Sequence, residues 1–522
     1  MYVSTVRLTV SGVGSFDCCA QEGVRALKRA QGTLISRDRS VRFSYIALTA
    51  LTLLLGLSAA NSDAQFSPTG VPVPAAPPVV ISAPPPAAAP IAITPAPTPT
   101  PTAAAPAPAP APAPAATVTP SPATSQADVG KLRGDTAWIL TSAIFVVFMV
   151  FPGLALFYGG LVRRKNIISI YAQCVVVASA ATLSWVVIAY SIAFSPTGGG
   201  YLGDLSRLGL TGIVADGLFP GGEALEWPMV VFHLSFAMIT AALVIGAFAE
   251  RVRPGGLLLF GLLWPALVYA PIARWVWHSD GWLAKMGHID WAGGTVVHVA
   301  AGFSGLAAAL VTGPRIGFGE DAMVPNHMGL TLAGAGCLLV GWMGFNGGSG
   351  LHADSTAAIA IVNTLVAGAA GAVAWIVIEG ALRGYSSGLG MASGVLGGLI
   401  AITPTAGFVT PVVAILYGVI GAVAGYLGAV VLKRILNIDD SLDVFGLHGV
   451  AGVAGSIAAG VLVNAGVKSS LGVQAFATGV IALYAFVVTF ALVSALRVLG
   501  IWRVAIDEEL EGLDASQHSE SV

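Results

Sequence analysis

Charged side chains are scarce in this sequence: Asp, Glu, Lys and Arg make up only 10% of its 522 residues. A water-soluble domain usually carries about 25% charged residues. Hydrophobic residues reach 56%, and the mean hydropathy is +0.83. This composition excludes an ordinary soluble domain and predicts an all-α polytopic membrane protein. The formal net charge of −2 gives no reason to expect a nucleic acid as partner.

Cysteine and metal-binding motifs are also lacking. Cys18 and Cys19 precede a predicted cleavage site, while Cys174 and Cys337 lie in apolar runs, so the cysteines form no disulfide framework. The sequence contains no HExxH or CxxC motif, and no nucleophile–base spacing typical of a hydrolase. We therefore expect no metal, no cofactor and no enzymatic activity.

The N-terminal region has the pattern of a targeting segment. Arg37, Arg39 and Arg42 precede the apolar run YIALTALTLLLGLSAA, and small residues follow at 58–60 and 62–64. This pattern predicts a cleaved signal peptide with its leader over residues 1–64. Residues 65–130 are rich in Pro and Ala and predict a disordered linker.

Long apolar runs fill the chain from residue 131 to 502, the predicted membrane domain. Stretches of about 20 apolar residues are long enough to cross a bilayer as helices. Eleven transmembrane helices are predicted, over residues 136–160, 167–195, 226–249, 255–278, 291–313, 326–346, 355–380, 388–404, 409–432, 445–466 and 473–501. Lys and Arg are more frequent in the loops after odd-numbered helices. The positive-inside rule therefore predicts a multi-pass protein of the inner (plasma) membrane, with the N-terminus outside and the C-terminus in the cytoplasm.

Two histidines interrupt apolar runs that otherwise lack ionisable groups. His298 lies in GGTVVHVAAG, residues 293–302, and His448 lies in DVFGLHGVAG, residues 443–452. These segments, and the pair FYGG and FNGG, indicate two five-helix repeats followed by a final helix. An odd number of helices per repeat forces the repeats into opposite orientations, which would bring both histidines to mid-membrane. Ionisable residues are costly there and are usually functional; a core histidine is the alternative, and two imidazoles supply too few ligands for a metal.

Aromatic residues gather near the outer ends of several predicted helices. Phe232, Phe236, Trp275, Trp277, Trp342 and Phe345 belong to this group. An interfacial aromatic belt explains most such residues. However, Trp277 and the hydroxyl of Ser349 could together hold a small monovalent cation, because an indole face attracts cations.

An ordered set of motifs resembles the ammonium transporter family (the Amt/Mep/Rh group), and its bacterial Amt branch in particular. The set includes FPGLALFYGGLVRRKN at 151–166, SFAMITAALVIGAFAER at 235–251, DWAGGTVVHVAAG at 290–302, GWMGFNGGSG at 341–350 and DVFGLHGVAG at 443–452. The resemblance implies that Phe236, Trp277 and Ser349 bind ammonium at an outer site organised by Asp290. It further implies that Phe236 and Phe345 form a gate, and that His298 and His448 line the pore below it.

The same resemblance implies a function and its partners. It implies uptake of ammonium or ammonia, and of methylammonium, by a homotrimer with one pore per subunit. An Rh-like gas channel and an ammonium sensor with low flux are the alternatives. Residues 503–522 would form a cytoplasmic regulatory tail under the basic loops of neighbouring subunits. Arg315, Arg383, Lys433 and Arg434 lie on that face, where a PII-type signal-transduction protein binds. A simple solvated end is the alternative for this acidic segment.

Overall fold

The computed structural model describes residues 126–521, which belong to one compact unit spanning residues 125–522. The predicted signal peptide, residues 1–64, and the predicted linker up to residue 125 lie outside the described residues. Within the described part of the chain the architecture is all-helical, with isolated β-bridges and no sheet.

Nine helical segments among residues 126–521 are long and apolar enough to cross a membrane, and two shorter apolar helices accompany them. In chain order these are α1 (Asp128–Leu161), α2 (Arg164–Phe194), α3 (Glu226–Phe248), α4 (Pro254–Lys285), α5 (Gly294–Thr312), α6 (Met328–Gly348), α7 (Ser355–Arg383), α8 (Gly388–Ile402), α9 (Pro411–Leu436), α10 (Phe445–Ala458) and α11 (Leu471–Val498). Each overlaps one predicted helix. The short pair is α8 and α10, which the sequence predicts over 388–404 and 445–466.

The first helix begins earlier than the sequence predicts. It begins at Gln126, so residues 126–130 of the predicted linker are helical. Polar residues in this early part have partners in the fold: the Asp135 carboxylate contacts His352 Nδ1 at 2.8 Å and accepts the N–H of Ala353 at 2.9 Å. The apolar count misses this segment because it contains several polar residues, of which Asp128, Lys131 and Arg133 are exposed.

Two helices that follow polar loops begin with side-chain caps. Asp354 accepts the N–H groups of Thr356 and Ala357 at the start of α7, and Ser387 accepts that of Gly390 at the start of α8. Such caps satisfy backbone donors that have no partner inside the helix. They fix where these membrane helices start.

The two ends of the helical bundle differ, and we name each by its residues. The vestibule face carries Trp277, Asp290 and Ser349, and the tail face carries residues 503–521. Helix α5 begins near Asp290 and ends at Thr312, whose carbonyl accepts a hydrogen bond from Arg503. Helix α10 begins at the tail face, next to Ser441, which bonds to Ala247 near the end of α3. The two histidine-bearing helices therefore run in opposite directions.

The tail is docked against its own subunit. It forms two short helices, α12 (Ile506–Glu511) and α13 (Leu513–His518). Asp514 accepts the N–H of Ser169 at 2.8 Å, and Glu509 accepts that of Ile316 at 2.7 Å. Leu513, Glu509 and Asp514 are buried. The alternative of a solvated end is therefore wrong for this segment.

Three of the predicted basic partners of the tail pair with other carboxylates. Arg315 bonds to Asp439 at 2.7 Å, Arg383 to Glu379 at 3.0 Å, and Lys433 to Asp443 at 2.7 Å. The tail instead uses bases close to it: Arg253 pairs with Glu508 at 2.8 Å, and Arg503 pairs with Glu509 at 2.9 Å. Within one subunit these bases are thus engaged by acids close to them, and the contact of the tail with neighbouring subunits stays a prediction.

Helices α5 and α10 cross at a glycine contact. A Cβ atom on Gly302 would clash with the backbone of Gly449, whereas a Cβ atom on Gly336 would meet open space. Close approach of small residues is a main source of helix association in membranes. The crossing therefore depends on the absence of a side chain at residue 302.

We predict that Gly302→Ala destabilises the protein by about 1–3 kcal/mol, because the overpacked backbones must separate. Gly336→Ala is the matched control and should leave stability unchanged or slightly higher, since alanine favours helix over glycine. Thermal melting of the detergent-solubilised variants measures the difference. Equal melting temperatures for the two variants would show that the crossing tolerates a methyl group.

Candidate functional site

Each histidine-bearing helix begins at a buried carboxylate. The Asp290 side chain accepts the N–H groups of Gly293, Gly294, Thr295 and Val296 at 2.6–3.1 Å, and the Thr295 hydroxyl at 2.5 Å. The first backbone N–H groups of a helix have no intrahelical partner, and the helix dipole favours a negative charge at this end. Asp290 therefore fixes the start of α5 rather than facing open solvent.

Asp440 does the same for α10 at the opposite face. Its carboxylate accepts the N–H groups of Val444, Phe445 and Gly446 at 3.0, 2.8 and 3.4 Å. Burial raises the pKa of Asp440 to about 6, against the opposing effect of Lys433. Asp440 lies eight residues before His448, the same spacing that separates Asp290 from His298.

The motif DVFGLHG begins at another aspartate, Asp443. Aligning DWAGGTVVH with DVFGLHG makes Asp443 the counterpart of Asp290. In the structure Asp443 bonds to Lys433 and has a positive φ of 60°. The eight-residue spacing to the histidine would have identified Asp440, because equal offsets along two helices place a cap and a side chain in equivalent positions.

The crossing of α5 and α10 is symmetric about the two histidines. Gly302 lies four residues after His298 and meets the backbone of His448 and Gly449. Gly452 lies four residues after His448, and a Cβ atom there would lie 3.1 Å from the Cβ of His298. Each glycine thus makes room for the opposite histidine segment. This geometry brings the imidazoles together, with the two Nδ1 atoms 3.2 Å apart.

An Nδ1–Nδ1 hydrogen bond constrains the tautomers of a neutral pair. One Nδ1 must carry the proton and the other must accept it. A neutral imidazole has one N–H and one lone pair. The two Nε2 atoms are therefore complementary, one a donor and the other an acceptor. His298 Nε2 is buried with no hydrogen-bond partner among the described residues. The pair can therefore form a hydrogen bond with a small molecule in the cavity.

Aromatic rings connect the vestibule face to this pair. The rings of Trp277 and Phe236 have centroids 5.8 Å apart, and Phe236 stacks on Phe345 at 4.2 Å with an interplanar angle of 16°. Phe345 lies 5.9 Å from His298, whose ring centroid is 5.3 Å from that of His448. The residues predicted for the gate and for the pore thus form one continuous column.

The other predicted site residues join this column through hydrogen bonds. Trp277 donates its indole N–H to the backbone carbonyl of Asp290 at 2.9 Å. The hydroxyl of Ser349 donates to the carbonyl of Phe345 at 2.8 Å. With its proton engaged, the Ser349 oxygen can only accept further hydrogen bonds. Asp290 therefore positions both the α5 histidine and the vestibule tryptophan.

A narrow, mostly apolar cavity surrounds the histidine pair. It measures about 20 Å³, which is room for about one water-sized molecule. Its lining is apolar apart from the two histidines, Tyr158 and the Trp342 indole nitrogen. Trp342, predicted to lie in the outer aromatic group, stacks on His298 at 5.3 Å and donates to Thr403 at 3.1 Å. Trp342 therefore holds the ring plane of His298.

A second, wider cavity of about 350 Å³ opens toward the tail face. It shares three wall residues with the narrow cavity, Phe157, Leu442 and Leu447, and also contacts Arg315 and Lys433. The Arg315 side chain is held by Asp439, which also lies 3.6 Å from Arg251. Burial would raise the pKa of Asp439, but the Arg315 hydrogen bonds and the nearby Arg251 charge lower it to about 2. Charged side chains therefore lie on the wall of this wider cavity at the tail face.

Metal binding has no support in the described region. Residues 126–521 contain no group of three or more His, Cys, Asp or Glu side chains that could hold a metal ion. The histidine pair is bounded by aromatic and aliphatic groups instead. What the arrangement can do chemically is exchange hydrogen bonds, or one proton, with a single small solute.

A bundle of membrane-spanning helices with an aromatic column above a buried histidine pair defines a multi-pass membrane protein. The chain belongs to the ammonium transporter family: the model described as Ammonium Transporter Family matches residues 137–522. This is a family of transporters rather than enzymes.

Individual relatives agree with this assignment. The chain is 39% identical over 404 residues to an ammonium transporter of Bacillus subtilis, covering 74% of this chain and 98% of the relative. Among solved structures, Saccharomyces cerevisiae Mep2 is similar with a TM-score of 0.67 and 31% identity, covering 72% of this chain and 90% of that one. A structure named Sensor Amt Protein gives a TM-score of 0.71 at 27% identity, covering 75% and 99%.

Proposed function

We propose that this protein takes up ammonium, and methylammonium with it, by recruiting the cation at the vestibule face and conducting it past His298 and His448 as ammonia. The observation that carries this proposal is the stacked Phe236–Phe345 pair lying directly against the Nδ1-linked histidines. A fully hydrated cation does not fit such a column, whereas a neutral molecule the size of water does.

Recruitment at the vestibule face rests on Trp277, Phe236 and Ser349. A cation over an aromatic face gains about 0.5–2 kcal/mol, the larger values after dehydration. The Ser349 oxygen is available as an acceptor, because its proton is bonded to the Phe345 carbonyl. Asp290 holds this site in place in two ways. Its backbone carbonyl accepts the indole N–H of Trp277, and its carboxylate accepts backbone N–H groups at the start of α5.

Deprotonation at the phenylalanine pair follows from the cost of charge in the membrane interior. An ion at the bilayer centre costs from about 3 to more than 10 kcal/mol, whereas neutral ammonia loses far less hydration. The narrow cavity has a mostly apolar wall. The complementary Nε2 atoms of the histidines can hydrogen-bond ammonia there. Potassium is rejected because it has no proton to lose.

The released proton has two routes, which differ in net charge moved. It returns to the vestibule face, giving electroneutral flux, or it crosses separately along the Nδ1–Nδ1 bond, giving electrogenic uptake. Proteoliposome flux with simultaneous voltage recording distinguishes the two. The same measurement tests the second candidate function, an ammonium sensor with low flux, which similarity to the Sensor Amt Protein structure favours.

We infer that α8 and α10 complete eleven transmembrane segments in two inverted five-helix repeats. The antiparallel α5 and α10, their equally spaced aspartate caps and the reciprocal Gly302 and Gly452 contacts support this arrangement. With a cleaved N-terminal signal peptide, the vestibule face would be outside and the tail face cytoplasmic, in the inner membrane.

We predict that His298→Ala and His448→Ala change ammonium flux and its selectivity over potassium while the protein remains folded. Each substitution removes one member of the hydrogen-bonded pair and leaves space in the narrow cavity, so water and ions can enter. Proteoliposome flux with ammonium, methylammonium and potassium measures the change. His327→Asn, which alters an exposed histidine but keeps a side-chain acceptor for the Leu330 N–H at the start of α6, is the control. Wild-type flux and selectivity in both alanine variants would make these two residues ordinary core histidines.

We predict a homotrimer with one pore per subunit, as in the family that the chain belongs to. Native mass spectrometry of the detergent-solubilised protein should give three times the mass of the mature chain. A spectrum with only monomers or dimers would contradict this prediction.

We predict that the docked tail controls flux and contributes to the binding of a PII-type protein at the tail face. Glu509→Gln weakens the contacts of α12 with Ile316 and Arg503, so flux or its control should decrease. Asp507→Asn, on the same helix but exposed, is the matched control and should match the wild type. Deleting residues 506–522 should abolish the control entirely.

The binding arm of this test uses pull-downs with ATP, with ADP and with 2-oxoglutarate. Binding should depend on the nucleotide and should weaken in Glu509→Gln but not in Asp507→Asn. If no nucleotide state supports binding and the deletion keeps wild-type flux, the tail is a structural element without a regulatory role.

A further inference from the structure

A third histidine lies in the membrane on the vestibule side of the gate. His233 belongs to α3, three residues before Phe236, and its side chain is only 7% exposed. Its ring centroid is 5.4 Å from that of Trp277 and 6.4 Å from that of Phe236. His233 thus contacts two members of the proposed recruitment site, and the family motifs do not account for it.

The surroundings of His233 form an aromatic cage. In addition to Trp277 and Phe236, the ring lies 4.3 Å from Phe194, 5.9 Å from Phe219 and 5.8 Å from Phe232. Five aromatic neighbours around one imidazole leave it few polar contacts. Aromatic faces attract any small monovalent cation, including potassium, so a cage of rings alone discriminates poorly between such cations.

The imidazole has an unused polar atom in this cage. Nδ1 of His233 is buried and has no hydrogen-bond partner among the described residues. The only carboxylate of α3, Glu226, is bonded to Arg207 and Tyr190 instead. Buried polar atoms in folded proteins nearly always have a partner. No described residue supplies a partner for this atom, and the proposed cation site lies next to it, so a recruited cation can supply one.

We propose that His233 is a specificity-determining ligand of the recruited cation, with its imidazole accepting an N–H from ammonium or methylammonium inside the aromatic cage. The inference rests on the proposed transport function and adds a residue to its recruitment step. The rings attract monovalent charge in general, whereas the imidazole acceptor favours cations that carry N–H groups. Selection against potassium would thus begin above the gate, before deprotonation.

The test uses two substitutions of different chemistry in the full-length protein. His233→Phe keeps a ring of similar size and removes both nitrogens, whereas His233→Gln keeps a hydrogen-bonding side chain. For His233→Phe we expect the half-saturating ammonium concentration to rise about five- to tenfold, the effect of losing one hydrogen bond to a charged group. Potassium should also compete more strongly with methylammonium uptake. His233→Gln should stay within about twofold of the wild type, and His327→Asn, which keeps the side-chain cap at an exposed residue, should equal it.

A direct measurement on the unmodified sequence does not depend on how the variants fold. In protein labelled with 15N-histidine, the imidazole nitrogen signals of His233, assigned from their loss in His233→Gln, should shift on addition of ammonium chloride and not of potassium chloride. Unshifted signals, or wild-type half-saturation and potassium competition in His233→Phe, would make His233 a packing residue only. A wild-type protein without ammonium flux would contradict the proposed function instead, so the two failures are distinguishable.

Discussion

The site depends on one constraint: the first backbone N–H groups of α5 and α10 must have hydrogen-bond acceptors. Inside a membrane, water is not available to these donors, and each one left unpaired is costly. Asp290 and Asp440 bond to them from opposite faces. Because each aspartate fixes the first turn of its helix, it also fixes the height of the histidine eight residues later. The 3.2 Å contact between the imidazoles follows from two caps set at equal distances from the middle.

Because α5 and α10 cross at glycine residues, the two histidines, which lie at the same height, come into contact. With Gly302 and Gly452 facing the opposite histidine segment, the two backbones approach closely enough for the Nδ1 atoms to bond. Larger residues at these two positions would separate the helices and break the hydrogen bond that sets the tautomers. The stacking of Trp342 on His298 adds a third restraint, on ring orientation. Together these contacts fix the pair in place before any substrate arrives, which limits the reorganisation that passage requires.

The sequence predicts those residues of the site that occur once in each of the two repeats. His298 and His448 stand out as ionisable residues in apolar runs, and the inverted repeat predicts their proximity because symmetry relates them. It did not identify Asp440, because the motif alignment contains no helical offset between a cap and its histidine. It overlooked His233 because one histidine among aromatic residues has no symmetry partner and its burial depends on long-range packing. It did not identify the acids that pair with Arg315, Arg383 and Lys433 within the subunit, since ion pairing depends on local geometry that charge counts do not contain.

The distribution of carboxylates explains how the site can attract a cation without trapping it. Asp290 and Asp440, each eight residues before a histidine, use their oxygens on backbone donors, and Asp443 is bonded to Lys433. Asp439 and Glu250 are bonded to arginines at the tail face. In the proposed mechanism, attraction at the vestibule face comes from aromatic faces and single acceptors, each contributing only about 1–2 kcal/mol. A free carboxylate in the column would bind the ion more tightly but would also oppose its deprotonation. Weak, neutral recruitment groups above an apolar passage are thus what conduction as ammonia requires.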